Sequence, residues 1–415
     1  MAGGLALAVS LVGTRFLVEW LRDHEIGQPI REEGPQGHQT KAGTPTMGGI
    51  AIVAGAVVGY TVSHLRSRVV FTRSGILVLA LVVGAGVVGF LDDWLKITRT
   101  RNLGLNKRMK VLGLLAVAVG FGWACVALTG VHTTLSFTRF SSFESSSLLD
   151  IDFGEVGWVV WSVFLIMAAT NAVNLTDGLD GLAAGSSLFC FAAFTVIGFW
   201  AFRNPGIYDV EHALDLAVVA AAMLGGCTGF LWWNAYPARI FMGDTGSLAI
   251  GAALAGLALT LNTALLLPII GALFVIEALS VIVQVFSFRV FHKRVFRMAP
   301  IHHHYELGGW PETTVIVRFW IVAGLATALA LGMFYADFTT EPSTETQADC
   351  VLVADLAGGE ASGLGDPGDC VPICVTTDPA PGAEGPDPVC VPVCDEGAEP
   401  TAALPCVPPE RADRP

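Results

Sequence analysis

Five short segments of this chain concentrate the side chains that can do chemistry, and each follows a long apolar stretch. In chain order they contain Lys41, Asp92-Asp93, Asn174 through Asp180, Asp244 and His302-His303-His304. Two adjacent carboxylates at the end of an apolar helix are costly without a cation, and hard oxygen ligands suit Mg²⁺. Six lysines and arginines follow between Lys96 and Lys110. Acidic residues beside this many basic ones indicate a metal ion that binds phosphates.

Two of the later segments offer further oxygen ligands. In NLTDGLDG, a helical backbone would place Asp177 and Asp180, three residues apart, on one face. The glycines of this motif allow a ligand to approach the backbone closely. Asp244, in FMGDTGS, adds a carboxylate from a separate part of the chain. These groups predict a binding surface for a cation and its ligands.

Aromatic, amide, imidazole and ammonium groups complete the candidate set. Trp232, Trp233 or Phe241 could stack on a planar base, the alternative being that they are ordinary aromatic residues of a membrane interface. Asn234 and Arg239 are further polar candidates. The three histidines that begin at His302 are consecutive, so they cannot all point the same way. They are also too closely spaced for a structural zinc site. Phosphate contact or proton transfer is therefore favoured. Lys41 begins KAGTPTMGG, whose backbone and hydroxyl donors suit an anion.

Composition places these segments in a membrane. The 415-residue chain is 53% hydrophobic and only 14% charged, which is too apolar for an ordinary soluble domain. A membrane helix needs about 20 apolar residues, and lipid offers the backbone no hydrogen-bond partners. The sequence predicts ten helical spans, at 3–21, 48–63, 75–91, 111–129, 157–173, 182–202, 213–233, 247–261, 265–288 and 315–336. We separate the spans 247–261 and 265–288 at Leu261-Asn262-Thr263, because a single helix over both would be about twice as long as the membrane is thick.

The order of the spans predicts which segments meet. All five segments follow odd-numbered spans, and a chain changes side with every span, so they share one face. The even-numbered connections contain nothing comparable. Loops after odd-numbered spans carry about three times as many lysines and arginines as the others, which favours the cytoplasm for that face. We therefore predict an all-α polytopic membrane protein with a cytoplasmic site and both termini extracytoplasmic.

Residues 337–415 form a tail that differs from the membrane domain, residues 1–336. The tail holds 16 acidic and 2 basic residues, and its Pro/Gly-rich composition predicts that it is largely disordered. Six cysteines lie there: Cys350, Cys370, Cys374, Cys390, Cys394 and Cys406. An even number in an exported segment predicts disulfides, with the pairing open, while metal binding is the alternative. Cys125, Cys190 and Cys227 are expected to pack in the membrane domain.

The motifs KAGTPTMGG, FLDDWLK, NAVNLTDGLDGLA, FMGDTGSLA and PIHHHYE, in this order, resemble those of the phospho-N-acetylmuramoyl-pentapeptide transferase family. The acidic motifs are similar to those of the wider superfamily of polyprenyl-phosphate N-acetylhexosamine-1-phosphate transferases. The first and last motifs resemble the muramoyl-pentapeptide branch. The resemblance covers the membrane domain and implies a ten-helix protein of the bacterial plasma membrane. The tail has no counterpart in the family pattern.

The resemblance also implies a reaction. UDP-N-acetylmuramoyl-pentapeptide would donate its sugar phosphate to undecaprenyl phosphate, giving lipid I and UMP for peptidoglycan synthesis, with Mg²⁺ as the cofactor. No nucleic acid is expected as a partner. The sequence leaves the oligomeric state open, with a homodimer as one option.

Residue roles follow from the same resemblance. Asp244, Asp92 and Asp93 would bind the metal and act in catalysis, with Asp92 as base or phosphate-positioning residue, and His302 is added as a catalytic candidate. Predicted substrate contacts are Lys41, Lys96, Arg108, Asn174, Asp177, Asp180, Asn234, Phe241, His303 and His304. One departure concerns the family's lysine in the second cytoplasmic loop, which aligns with Arg108, flanked by Lys107 and Lys110. Arginine keeps the charge but differs in geometry.

Two other functions and a role for the tail are alternatives. A related transferase would use UDP-N-acetylglucosamine as the donor. A transporter would carry charged residues deep in its spans and an internal repeat. Only Glu277 and Gln284 lie clearly inside a span, and the spans show no repeat, which argues against transport. As a separate idea, the tail would be an extracellular binding module fused to the enzyme.

Overall fold

A computed structural model describes residues 1–24, 43–67, 70–98, 104–138 and 151–339, together with three short tail segments. The chain divides into two compact units, Met1–Phe338 and Thr339–Pro415. The described residues form thirteen helices: α1 Ala2–Asp23, α2 Gly49–Ser67, α3 Arg73–Thr98, α4 Lys107–Leu128, α5 Gly154–Thr176, α6 Leu182–Arg203, α7 Pro205–Tyr208, α8 Ala213–Asn234, α9 Gly243–Thr260, α10 Leu267–Ile270, α11 Ala272–Phe291, α12 Ile301–Glu306 and α13 Glu312–Thr339.

The first unit has the helices of a multi-pass membrane protein. Among the described residues, nine helices are long and apolar enough to cross a membrane: α1 to α6, α8, α11 and α13. The remaining predicted span coincides with α9, whose 18 residues begin with a polar first turn around Asp244. α9 is therefore not among these nine helices. The predicted helical membrane class is confirmed, and the number of strongly apolar spans in the described chain is nine rather than ten.

The predicted break between the eighth and ninth spans is confirmed. α9 ends at Thr260, and Asn262 adopts a left-handed conformation with φ 55°. Thr263 N donates a hydrogen bond to Ala258 O at 2.9 Å, which closes the turn. The short helix α10 follows, and α11 begins at Ala272. The long apolar run is therefore two separate helices.

α9 lies at the centre of the first unit. Every residue from Thr245 to Thr260 is buried, and the helix packs mainly against α3, α5 and α2. Glycines make this approach feasible. A Cβ on Gly49 of α2 would lie 2.0 Å from Gly246 N, and one on Gly89 of α3 would lie 2.3 Å from Asp244 O. Such close contacts are typical of helices in membranes, where packing and hydrogen bonds replace the hydrophobic driving force.

A buried polar cluster lies at the opposite end of α3. Asp215 of α8 accepts hydrogen bonds from Tyr60 OH at 2.8 Å and from the Thr72 hydroxyl, and it lies 2.8 Å from His64 Nε2. His64 Nδ1 lies 2.9 Å from Tyr60 O, so both ring nitrogens face oxygen atoms. The cluster joins α2, α3 and α8. The expectation that the even-numbered connections hold no comparable polar group is therefore wrong.

The second unit contains three short strands, β1 Val351–Leu352, β2 Val371–Val375 and β3 Val389–Val393. β1 pairs in parallel with β2, and β2 pairs antiparallel with β3, in a register that sets Cys374 opposite Cys390. The rest of the tail lies outside the described residues, so its predicted disorder and its cysteine pairing stay predictions. In the first unit Cys125, Cys190 and Cys227 are buried, as predicted.

Candidate active site

Three carboxylates from two helices meet at one end of the first unit. Asp92 and Asp93 lie in the last turns of α3, and Asp244 lies in the first turn of α9. One oxygen from each lies within 4.8 Å of the others. The first two are buried and Asp244 is partly exposed. Three oxygens at this separation fit one divalent cation, because Mg²⁺ binds to carboxylates and keeps water on its open side.

Asp93 fixes the start of α9. Its carboxylate accepts hydrogen bonds from Asp244 N at 3.1 Å, Thr245 N at 3.0 Å and Thr245 Oγ1 at 2.8 Å. The first N–H groups of a helix have no partner within it, so Asp93 caps α9 from another helix. Gly243 has φ 73°, and a Cβ there would lie 2.5 Å from Asp93 Oδ2. A side chain at position 243 would therefore disrupt the cap. The cap in turn fixes the position of the Asp244 backbone, from which its carboxylate extends.

Two lysine ammonium groups lie among the carboxylates. Lys96 Nζ lies 2.6 Å from Asp92 Oδ2 and 2.8 Å from Asp244 Oδ2. Lys110 Nζ lies 2.7 Å from the same Asp244 oxygen. Asp92 Oδ1 accepts a hydrogen bond from Leu105 N at 2.8 Å, which anchors the loop between α3 and α4. The site presents both signs of charge, and this combination suits a metal-bound diphosphate.

The end of α5 brings a third element to the site. Asn174 Nδ2 donates to Asp244 Oδ1 at 2.6 Å and to Ser247 Oγ at 2.9 Å. Asp177 follows the last residue of α5. Burial raises the pKa of Asp177 to about 8, and the negative charges of Asp244 and Asp93 add to this shift. A bound cation would counter the contribution of these neighbouring charges to the pKa of Asp177.

Asp180 and Asn234 join two loops. Asp180 Oδ2 accepts a hydrogen bond from Ala238 N at 3.0 Å. Asn234 Oδ1 accepts from Gly181 N at 3.0 Å, and its Nδ2 donates to Ile240 O at 2.9 Å. Both side chains are buried. They hold the turn after α5 against the segment before α9, which differs from the direct substrate contact that the sequence predicts.

The first sequence motif also reaches the site. Phe241 N donates to Pro45 O at 2.8 Å, and Gly48 N donates to Phe241 O at 2.9 Å. These bonds place residues 43–49 beside the start of α9, with the Phe241 ring half-buried. Lys41 lies outside the described residues.

The three histidines occupy three different environments. His302 is fully buried, and its Nδ1 lies 3.0 Å from Glu277 Oε2 of α11. His303 is half-buried, with its Nδ1 2.7 Å from Glu306 Oε2. His304 Nδ1 accepts a backbone N–H from the preceding loop at 3.1 Å. The side chains therefore do not point the same way, as expected, and the buried ring of His302 does not suit direct contact with a substrate.

Gln284, seven residues after Glu277 in the same helix, supports the loop that leads to the histidines. Its Oε1 accepts hydrogen bonds from Val295 N at 3.0 Å and Phe296 N at 2.9 Å, and its Nε2 donates to Phe296 O at 3.1 Å. Gln284 thus makes three hydrogen bonds within the fold, and Glu277 lies 3.0 Å from His302 Nδ1. This arrangement favours a structural use over an ion site in a transporter.

Lys110, rather than Arg108, reaches the carboxylates. Arg108 is exposed near the start of α4, whereas Lys110 is half-buried and contacts Asp244. A sequence signal for this existed. Lys110 lies four residues before Leu114 and eight before Ala118, both buried, so it shares the inward face of α4. The resemblance left the role open among Lys107, Arg108 and Lys110, and this periodicity would have favoured Lys110.

Comparison with known proteins identifies the family of this chain. Residues 75–262 match the family model described as glycosyl transferase family 4, and residues 41–53 match signature 1 of phospho-N-acetylmuramoyl-pentapeptide-transferase. The transferase of that name from Frankia alni is 52% identical over 346 residues, which cover 81% of this chain and 97% of the relative. Those from Thermobifida fusca and Rhodococcus jostii are 51% and 50% identical over 348 residues, with the same coverage of both chains. The chain therefore belongs to the phospho-N-acetylmuramoyl-pentapeptide transferase family.

Proposed function

We propose that this protein transfers phospho-N-acetylmuramoyl-pentapeptide from its UDP-linked donor to undecaprenyl phosphate, giving lipid I and UMP in peptidoglycan synthesis. The observation that carries the proposal is the meeting of Asp92, Asp93 and Asp244 with two lysines at the ends of membrane helices. The identities of the donor and the acceptor are inferred from membership of the transferase family. A related enzyme that uses UDP-N-acetylglucosamine is the runner-up, since the acidic motifs are common to both.

The reaction exchanges one phosphoanhydride for another. A phosphate oxygen of the lipid attacks the sugar-linked phosphorus of the donor, a new P–O bond forms, and the P–O bond to UMP breaks. Both reactants are anionic, so their repulsion must be screened. Mg²⁺, when bound, supplies that screening and stabilises the departing UMP.

The residues divide into those that contact the reactants and those that position them. Asp244 and Asp92 hold the metal, with Asp93 close enough to complete the site while it caps α9. Lys96 and Lys110 neutralise the diphosphate. In this proposal Asp177 and Asn174 bind the metal or the uridine end, and Phe241 stacks on uracil. Lys41, His303 and His304 hold the diphosphate or the sugar.

The proposed orientation places this site in the cytoplasm of a bacterium, with ten crossings and both termini outside. α9 supplies the tenth crossing, because 18 helical residues span about 27 Å, close to the thickness of a bilayer core. Its burial among other helices removes any need for a strongly apolar surface. The excess of basic residues in loops after odd-numbered spans supports the cytoplasmic side. The homodimer stays a prediction.

A donor-competition assay tests the function. Purified full-length protein, undecaprenyl phosphate and Mg²⁺ are offered each UDP-sugar in turn, and UMP and the lipid product are measured. We expect UMP release with the muramoyl-pentapeptide donor that depends on the lipid acceptor. Release with UDP-N-acetylglucosamine alone would reject the proposed substrate.

Exchange of single basic residues on α4 tests the placement of the diphosphate. Lys110→Ala removes an ammonium group 2.7 Å from Asp244, so we expect kcat/KM to fall about 10- to 100-fold. Arg108→Ala, two residues earlier on the exposed face, is the matched control and should stay within about twofold of the parent. Steady-state UMP release measures both. A larger loss for Arg108→Ala than for Lys110→Ala would contradict the assignment.

A further inference from the structure

A fully buried acid–base pair lies beside the site without forming part of the carboxylate cluster. Glu277 of α11 and His302 of α12 each have a side chain with 0% exposure, and His302 Nδ1 lies 3.0 Å from Glu277 Oε2. Among the described residues, none of the four polar atoms of these two side chains has a hydrogen-bond partner, so the 3.0 Å approach of His302 Nδ1 to Glu277 Oε2 is the polar contact that each side chain makes. A carboxylate inside a membrane helix is costly unless it is paired. We therefore take the proximity of the His302 imidazole to offset the cost of burying the Glu277 carboxylate.

The far side of the His302 ring lies against the turn that carries Asp177 and Asp180. A Cβ on Gly178 would lie 2.4 Å from His302 Nε2 and 3.0 Å from its Cε1. Only a residue without a side chain fits between the two aspartates at this point. The backbone at Gly178 therefore packs directly against the His302 ring, whose other side faces Glu277.

The neighbouring histidine has the opposite character. The rings of His302 and His303 lie 4.2 Å apart at 61°, and His303 is half-buried with Glu306 at its Nδ1. Of these two rings, His303 is the one with access to a ligand. His302 has none, so it acts through the turn and not on the reactants.

We infer that Glu277 and His302 are positioning residues, a pair that fixes the turn Asp177–Gly181 and so sets where Asp177 faces the site. This inference rests on the proposed function for its kinetic consequences. The pair joins α11 and α12 to the end of α5. Its loss would let the turn move away from Asp244 without removing any group that touches the substrate.

The test uses the full chain with Glu277→Gln, His302→Gln, His302→Ala and Gly178→Ala. Ser280→Ala is the matched control, because Ser280 is buried one turn along α11 and bonds only to a backbone carbonyl. We expect Glu277→Gln and Gly178→Ala to lower kcat/KM by about tenfold or more, since small misplacements of reacting groups have large effects. The pH–rate profile should keep both limbs. His302→Gln, which retains a polar side chain, should keep more activity than His302→Ala, and Ser280→Ala should match the parent.

Hydrogen–deuterium exchange over residues 174–181 provides a readout without substrate. We expect faster exchange there in Glu277→Gln and Gly178→Ala, and parental exchange in Ser280→Ala. If the parent failed to use the muramoyl-pentapeptide donor, the proposed function would fall while this readout still decided the positioning role. If Glu277→Gln did not remain folded, the comparison of His302→Gln with His302→Ala would decide. Parental rates and exchange in Glu277→Gln, or the loss of one pH limb in His302→Gln, would overturn the inference.

Discussion

Asp244→Asn is expected to lower the rate of UMP release by about a thousandfold, the scale seen when one preorganised charge-stabilising group is lost. The substitution removes the negative charge that Lys96 and Lys110 share, on the most accessible of the three clustered carboxylates. It keeps the size of the side chain, so the packing of α9 should survive. Single-turnover UMP release and thermal unfolding of the same preparation measure the two effects.

Glu155→Gln is the control for this experiment, because Glu155 is an exposed acidic residue in the first turn of α5, at the other end of that helix from Asn174. It should keep the parental rate. A near-parental rate in Asp244→Asn would remove the carboxylate cluster from the mechanism, and so would a near-parental rate in Asp92→Asn.

Removal of divalent cations is expected to stop UMP release, and Mg²⁺ should restore it. Without the cation, three carboxylates and two anionic reactants would share one site. Metal binding should also stabilise the protein by about 2.7 kcal/mol at a Mg²⁺ concentration about 100 times Kd, because a ligand that binds only the folded state adds to the free energy of unfolding. Chelator titration of activity and of thermal unfolding checks this.

Asp244→Asn again supplies the comparison. Its unfolding temperature should respond to Mg²⁺ much less than that of the parent. Equal stabilisation of the two proteins would place the metal elsewhere, even if activity required Mg²⁺.

Much of the site could be predicted from the order of motifs along the chain. Asp92, Asn174 and Asp244 are far apart in sequence, yet each follows an odd-numbered apolar span. Counting spans was therefore enough to predict that they share one face. The turn at Asn262 divides the long apolar run into two spans, so the histidines also follow an odd-numbered span. Membrane topology is a strong constraint because each helix must cross the same layer.

The division between contacting and positioning residues could not be predicted in this way. Asp180, Asn234 and His302 are polar residues in the right segments, but their side chains bond to backbone or to another buried group. Such pairing depends on how loops from distant helices meet in the fold. The residue types in each segment do not determine that arrangement. The cluster around Asp215 was missed for the same reason, since its members are dispersed over α2, α8 and Thr72, the residue before α3.

The central position of α9 has a consequence for biosynthesis. The helices that chiefly surround it, α2, α3 and α5, all precede it in the chain. Until Asp244 and Thr245 have been synthesised, the carboxylate of Asp93 lacks the backbone N–H donors that it later binds at the start of α9. Lys96, three residues along the same helix, is the local counterion that can accompany it during insertion. The three-carboxylate cluster therefore cannot be complete before α9 has been synthesised.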